Sequence, residues 1–154
     1  MYQPWANEAV IAHTACVVHS YRHFTGRELV PEGGTTDAVA RAVFEAPFVL
    51  VSHGTEPDPV LNYGNAAALR LWETTWAELT RMPSRLTAEA SDREERARLL
   101  AQVTRHGFID DYSGIRISTR GRRFRIAQAT VWNLLTPSGE PGGQAAMFSK
   151  WKLL

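Results

Sequence analysis

The chain of 154 residues is 44% hydrophobic and 21% charged, with a formal net charge of +1, the size and composition of one globular domain with its own core. Near-neutral charge gives no bulk electrostatic case for nucleic acid or a membrane surface as partner, and no apolar run approaches the roughly 20 residues that span a bilayer. The start, Met1-Tyr2-Gln3-Pro4-Trp5, lacks the basic and apolar regions of a signal peptide, and the single cysteine, Cys16, excludes an intramolecular disulfide, so a cytoplasmic location is expected.

Ala6 to Phe24 reads as a helix, with Pro4 and Asn7 at its start and Gly26 at its end. Val10, Thr14, Val17, Tyr21 and Phe24 recur at spacings of three and four and give it one apolar stripe. A loop from Leu29 to Gly34 holds Pro31 and the Gly33-Gly34 pair. Thr35 or Thr36 then caps a second helix, Asp37 to Glu45, which Pro47 ends. Phe48 to Val51 is a continuous apolar run that suits a buried strand. Gly54 and Pro57-Asp58-Pro59 force a turn, and Val60 to Tyr63 is a second short strand. Asn65 is placed to cap a helix in which Leu69 and Trp72 share a face. A short helical turn, Trp76 to Thr80, breaks at Met82-Pro83-Ser84. Ser91 with Glu94 forms a capping box for a helix from Asp92 to about His106, and Gly107 closes it as a left-handed cap. On that helix Ala97, Leu99, Leu100 and Val103 make a narrow core face, and Asp92, Arg93, Glu94, Glu95, Arg96 and Arg98 read as a solvated one.

The last third is strand-like: Phe108 to Thr119, then Arg122 to Thr136 after a turn at Gly121, then Gln144 to Leu153 after the loop Pro137 to Gly143. Strict alternation along the middle strand puts Phe124, Ile126, Gln128, Thr130, Trp132 and Leu134 on one face. In the last strand Met147, Ser149 and Trp151 share a face.

The segment Tyr63-Gly64-Asn65-Ala66-Ala67 resembles the Tyr-x-Asn-x-Ala entry to the first core helix of PAS domains. The wider run Phe48 to Glu89, with Trp72, Trp76 and Met82-Pro83-Ser84, resembles more specifically the MEKHLA domain family. That is a PAS-like group found as small bacterial proteins and at the C-terminus of some plant homeodomain-leucine zipper transcription factors. The resemblance covers residues 36–154 and continues through Trp132-Asn133-Leu134 and Gly143-Gln144-Ala145-Ala146, although the literal string that names the family is absent. It implies an α+β, PAS-like fold: a five-stranded antiparallel sheet, helices between the second and third strands, and an additional N-terminal amphipathic helix. Residues 1–35 are expected to form that helical extension and residues 36–154 the PAS-like domain. In PAS proteins such a helix covers the outer sheet face or pairs with a second subunit, so a homodimer or a signalling partner through this helix is implied.

Catalytic signals are poor, and the chain is not expected to be an enzyme. There is no Gly-rich phosphate loop, no Gly-x-Ser-x-Gly and no paired-Cys zinc spacing. His19, His23 and Cys16 share a helix side at metal-ligand spacing, but packing or surface roles account for them without a metal. Asp110-Asp111 are adjacent in a strand and point to opposite faces, so they do not act as an acid/base pair. Cys16 lies before the PAS-like core and without the Asn-Cys-Arg motif of flavin-adduct proteins. His106 alone is too little to assign haem. Arg120, Arg122, Arg123 and Arg125 read as a solvated turn. No cofactor is named by the sequence.

The resemblance instead points to a cavity between sheet and middle helices, the space PAS-like domains use for small ligands. Candidate lining residues are Trp72, Trp76, Tyr112, Arg116, Gln128, Thr130, Trp132, Met147 and Ser149. Gln128 and Thr130 stand out as polar groups on an otherwise apolar face, which need a partner; if that face lies under the N-terminal helix, neither sees the cavity. Two readings follow. One is a sensory module that binds a small, mostly apolar molecule and signals in trans. The other is an interaction or dimerisation module whose five tryptophans and six phenylalanines fill the core.

Overall fold

The computed structural model describes residues 3–31 and 34–154; Met1 and Tyr2, and Glu32 and Gly33 of the expected loop, lie outside the described residues. Helix α1 (Glu8–Thr25) starts where Asn7 is extended and its side-chain oxygen accepts from the amides of Ala9 and Val10, and it stops at Gly26, whose left-handed backbone (φ 72°, ψ 8°) turns the chain away. Helix α2 (Thr36–Glu45) is capped by Thr35. Strands β1 (Val49–His53) and β2 (Leu61–Gly64) lead into α3 (Ala66–Leu71), α4 (Trp76–Leu79), two short 3-10 turns and α5 (Arg93–His106). The chain ends in β3 (Phe108–Ile117), β4 (Arg123–Leu135), β5 (Pro141–Phe148) and β6 (Lys150–Leu153).

The strands form one antiparallel sheet in the order β2-β1-β5-β4-β3, with β6 also on β4. All helices other than α1 and α2 fall between β2 and β3, the architecture that the resemblance implied. Among the described residues no helix is long and apolar enough to cross a membrane.

The sheet is buried on both faces. Its inner face packs Val49, Ala129, Val131 and Phe148 against Ala68, Trp72, Leu99 and Val103 of the middle helices. Its outer face packs Leu50, Trp132, Leu134 and Ala145 against Val17 and Tyr21 of α1 and Val43 of α2. The stripe on α1 is thus spent on its own sheet, where Trp132 Nε1 donates to the Val17 carbonyl and the Leu135 amide donates to Ser20 Oγ.

Four expectations are corrected. The last strand is not continuous: Ser149 is a bend that divides β5 from β6. The strict alternation in β4 fails opposite that bend, because Gln128 has a positive φ of 53°. Register with β5 and β6 is kept on either side (Ala127 opposite Lys150, Thr130 opposite Met147), yet the faces exchange. Phe124 and Ile126 face inward with Ala129 and Val131, while Trp132 and Leu134 face outward. Third, the Ser91–Glu94 capping box does not form. A 3-10 turn, Ala90–Asp92, already coils the chain into α5: the extended residue is Glu89, before that turn, while Asp92 at the helix start is right-handed helical and caps nothing. At the other end Gly107 closes α5 with φ 94° and ψ −47°, outside the left-handed helical region, and a Cβ there would meet Phe24 at 2.7 Å.

Candidate ligand cavity between the sheet and helix α5

The inner face and α5 line a cavity of about 60 Å³. Its wall is mostly aliphatic and aromatic, including Val51, Leu99, Leu100, Ile126, Val131 and Phe148. The polar residues on it are Ser52, His53, Trp72, Thr87, Arg96, Tyr112, Arg116 and Gln144.

Several elements hold these groups. Trp72 ends α3 and lies edge-on to Phe124 (5.2 Å between ring centres) and Phe148 (6.2 Å); its carbonyl accepts from Thr119, which anchors it to the β3–β4 turn. Its indole Nε1 is buried without a partner among the described residues. His53 ends β1, and its Nδ1 lies 3.0 Å from the Gly54 carbonyl. A carbonyl only accepts, so Nδ1 carries the proton, and in the neutral ring Nε2 is an acceptor. That Nε2 is also buried without a partner, and burial holds the His53 pKa below its ordinary value.

Arg116 on β3 is 7% exposed and donates to the Ile115 carbonyl and to Tyr112 Oη. Tyr112 in turn donates to Glu95 on the exposed side of α5, and burial raises its pKa. Arg96 on α5 reaches Ser84 Oγ at 2.9 Å; burial first, and the charge of Arg116 second, lower its pKa to about 10. The two protons of the Gln144 amide are shared among three acceptors, the Leu100 carbonyl, Thr104 Oγ1 and Asn133 Oδ1, which ties β5 and β4 to the end of α5.

Of the nine sequence candidates, Trp72, Tyr112 and Arg116 line the cavity. The other six lie elsewhere. Trp76 stacks edge-on against Tyr63 at 5.5 Å, in the outer core. Gln128 is exposed at the kink and accepts from Lys150 Nζ. Thr130, Trp132 and Met147 fall on the outer face after the faces exchange, and Ser149 is exposed at the bend. His53, Arg96 and Gln144 were missed as lining groups. Arg96 was expected on the solvated face of α5 and is corrected: it lies three and four residues before Leu99 and Leu100, which turns it toward the cavity.

The other side chains weighed in the sequence also have places. Cys16 Sγ donates to the Leu135 carbonyl under α1, and His23 packs on Phe24. His106 is exposed at the end of α5. Asp110 pairs with Arg27, while Arg122 and Arg123 pair with Glu73 and Glu89. Among the described residues no group of three or more His, Cys, Asp or Glu side chains is arranged to hold a metal ion. Flavin and haem do not fit the space: a cavity of about 150 Å³ takes a guest of benzene size, both groups are far larger than benzene, and this cavity is about 60 Å³.

Comparison with known proteins agrees with this architecture. A family profile described as the MEKHLA domain matches residues 11–153. The homeobox-leucine zipper protein REVOLUTA of Arabidopsis thaliana is 29% identical over 126 residues, covering 80% of this chain and 15% of that protein. The chain spans about a sixth of the length of the first curated relatives it matches. An RNA-binding light-oxygen-voltage receptor superposes with a TM-score of 0.63 at 19% identity, covering 77% of this chain and 36% of that one. The PAS domain of a LuxR-family transcriptional regulator from Burkholderia thailandensis, solved in complex with ethanol, superposes with a TM-score of 0.54 at 21% identity over 73% of this chain and 94% of that one. At these identities the two structures speak to the fold alone.

Proposed function

This chain belongs to the MEKHLA domain family, and from that premise we propose that it is a PAS-type sensor module that binds a small molecule between its sheet and α5 and reports occupancy through α1. The observation that carries the reading is the cavity itself: a mostly apolar space with two buried polar atoms, Trp72 Nε1 and His53 Nε2, left without partners among the described residues. Such groups are costly in a packed interior and are satisfied by a ligand or by water. The size selects small ligands, and the ethanol complex of a protein with the same fold shows that a PAS domain can hold a molecule of that scale.

The route to α1 is short. On β1, His53 faces the cavity while the hydroxyl of its neighbour Ser52 faces outward, accepting from His13 Nε2 at 2.8 Å and donating to Asn62 Oδ1. A ligand that shifts the end of β1 shifts the seat of α1. Binding and relay need no chemical step, so the module acts as a receptor and passes its signal to a partner chain.

The test is a panel of small neutral and charged compounds scored by melting temperature, with hydrogen exchange on α1 for any that bind, alongside native and denatured masses of the purified protein. A stabilising compound that also changes protection in α1 is the expected result. If no compound shifts the melting temperature and the native mass equals the bare chain or a multiple of it, the sensor reading fails. The alternative then stands: an interaction module with a filled core.

A further inference from the structure

Two guanidinium groups border the same small cavity, and no carboxylate among the described residues pairs with either. Arg116 is spent on a carbonyl and a tyrosine hydroxyl, and Arg96 on a serine hydroxyl. The nearest acid on α5, Glu95, is exposed and is reached by Tyr112 Oη instead. Elsewhere in the molecule the arginines that make ion pairs are exposed ones, including Arg22, Arg41 and Arg98. Among the described residues Arg70, Arg81, Arg105, Arg120 and Arg125 are in no such pair either, but they are exposed and keep their hydration, whereas Arg116 is buried and Arg96 half-buried. Two like charges sharing a low-dielectric wall repel one another and have lost hydration, and such a pair needs a counter-charge.

Resting on the ligand-binding reading above, we infer that the cavity takes a small carboxylate of one to three carbons, its anionic end held by Arg96 and Arg116 and its alkyl end against the aliphatic wall. Guanidinium forks match the two oxygens of a carboxylate. Trp72 Nε1 supplies a further unpartnered donor on the same wall. The apolar side, Val51, Leu99, Leu100, Ile126 and Val131, offers nothing to a second charge, which excludes dicarboxylates and phosphate esters. Volume sets the length. A cavity of about 150 Å³ takes six-carbon benzene, so one of about 60 Å³ admits only a few heavy atoms.

The test is a titration of the whole chain with sodium formate, acetate and propionate, against sodium chloride at matched ionic strength and against neutral ethanol and acetamide, read by calorimetry and by melting temperature. Saturable stabilisation by one or more carboxylates, with chloride and the neutral compounds at least about tenfold weaker, is expected, since a charge-assisted hydrogen bond contributes on the order of a decade in affinity. Arg96→Gln should weaken carboxylate binding about tenfold or more by the same rule, and Arg96→Lys should recover part of it. Arg96 is the variant to use because it is less buried than Arg116, and its folding is checked by far-UV dichroism. Binding of neutral compounds without carboxylates overturns this inference and leaves the sensor reading standing. Chloride matching acetate, or a folded Arg96→Gln protein with unchanged affinity, also overturns it. No binding by any compound removes both.

Discussion

Asn65 shows how much one side chain can hold in place. It is fully buried, and all its hydrogen-bonding capacity toward the fold is engaged: Oδ1 accepts from the amides of Leu50 (3.0 Å) and Ala68 (3.1 Å), and the amide donates to the carbonyls of Val43 (3.1 Å) and Phe48 (2.9 Å). The sequence showed a helix cap there; the ties to α2 and β1 were invisible because they join residues 15 to 22 positions away. Asn65→Asp keeps the cap and sets a carboxylate against two carbonyls, so it should destabilise by about 3 kcal/mol or more, measured as the shift in urea midpoint, and at least as much as a simple cap loss of about 1 kcal/mol. A loss near the smaller figure would mean that the links to Val43 and Phe48 contribute little. His13 and His53 set a pH dependence. Burial holds both below the ordinary 6.5, so the unfolded chain takes up protons first as pH falls. Their contribution is fully present above about pH 6.5 and declines as pH drops toward the folded-state values, by at most about 1.4 kcal/mol per pH unit for each. Urea unfolding at about pH 7.5 and about pH 5.5 should therefore show lower stability at the acid end, and replacing both histidines by Asn should flatten that slope.

At the scale of elements, the order of helices and strands was readable from apolar periodicity and turn residues, and the bounds of the helices agree to within two residues. What could not be read was the exchange of faces in β4. Alternation is a rule for an unbroken pleat, and Gln128 leaves the pleat with φ 53° while Ser149 bends the partner strand opposite. That one residue moved Thr130, Trp132 and Met147 from the expected cavity to the underside of α1. The kink makes a prediction opposite in sign to strand propensity. Gln128→Val puts a β-branched residue on an exposed strand site, yet it should destabilise by about 1–2 kcal/mol because that side chain tolerates a positive φ poorly. Gln128→Gly should be close to neutral, since relief of backbone strain offsets the added freedom of the unfolded chain. A stabilising valine in a thermal melt would mean that the kink is absent in solution. For α1 the corresponding residue is Trp132, which joins the helix through its bond to the Val17 carbonyl and its edge-on contact with Tyr21 at 4.9 Å. Trp132→Phe should cost about 1–2 kcal/mol and raise hydrogen exchange in α1 more than in α5.

The whole molecule is a sheet one strand thick with a cavity on one side and a docked helix on the other, so anything that moves the sheet is felt on both. The coupling can be tested without knowing the ligand, because the chain carries one thiol in a useful place. Cys16 Sγ donates to the Leu135 carbonyl from α1, and burial raises its pKa, so it should react slowly with thiol reagents while α1 is seated. Its labelling rate then reports the fraction of time the helix is lifted. Ala146→Val adds two methyl groups to the cavity wall at a position opposite Val51 and Val131, and so stands in for partial occupancy. If occupancy is transmitted through β1 and β5, the Cys16 labelling rate should change about fivefold or more for each kcal/mol of coupling, compared at equal global stability. The same change should vanish in a Ser52→Ala background, where His13 has lost its partner on β1. An unchanged labelling rate in Ala146→Val would separate the two faces of the sheet and leave α1 as a structural cover, with no part in reporting what the cavity holds.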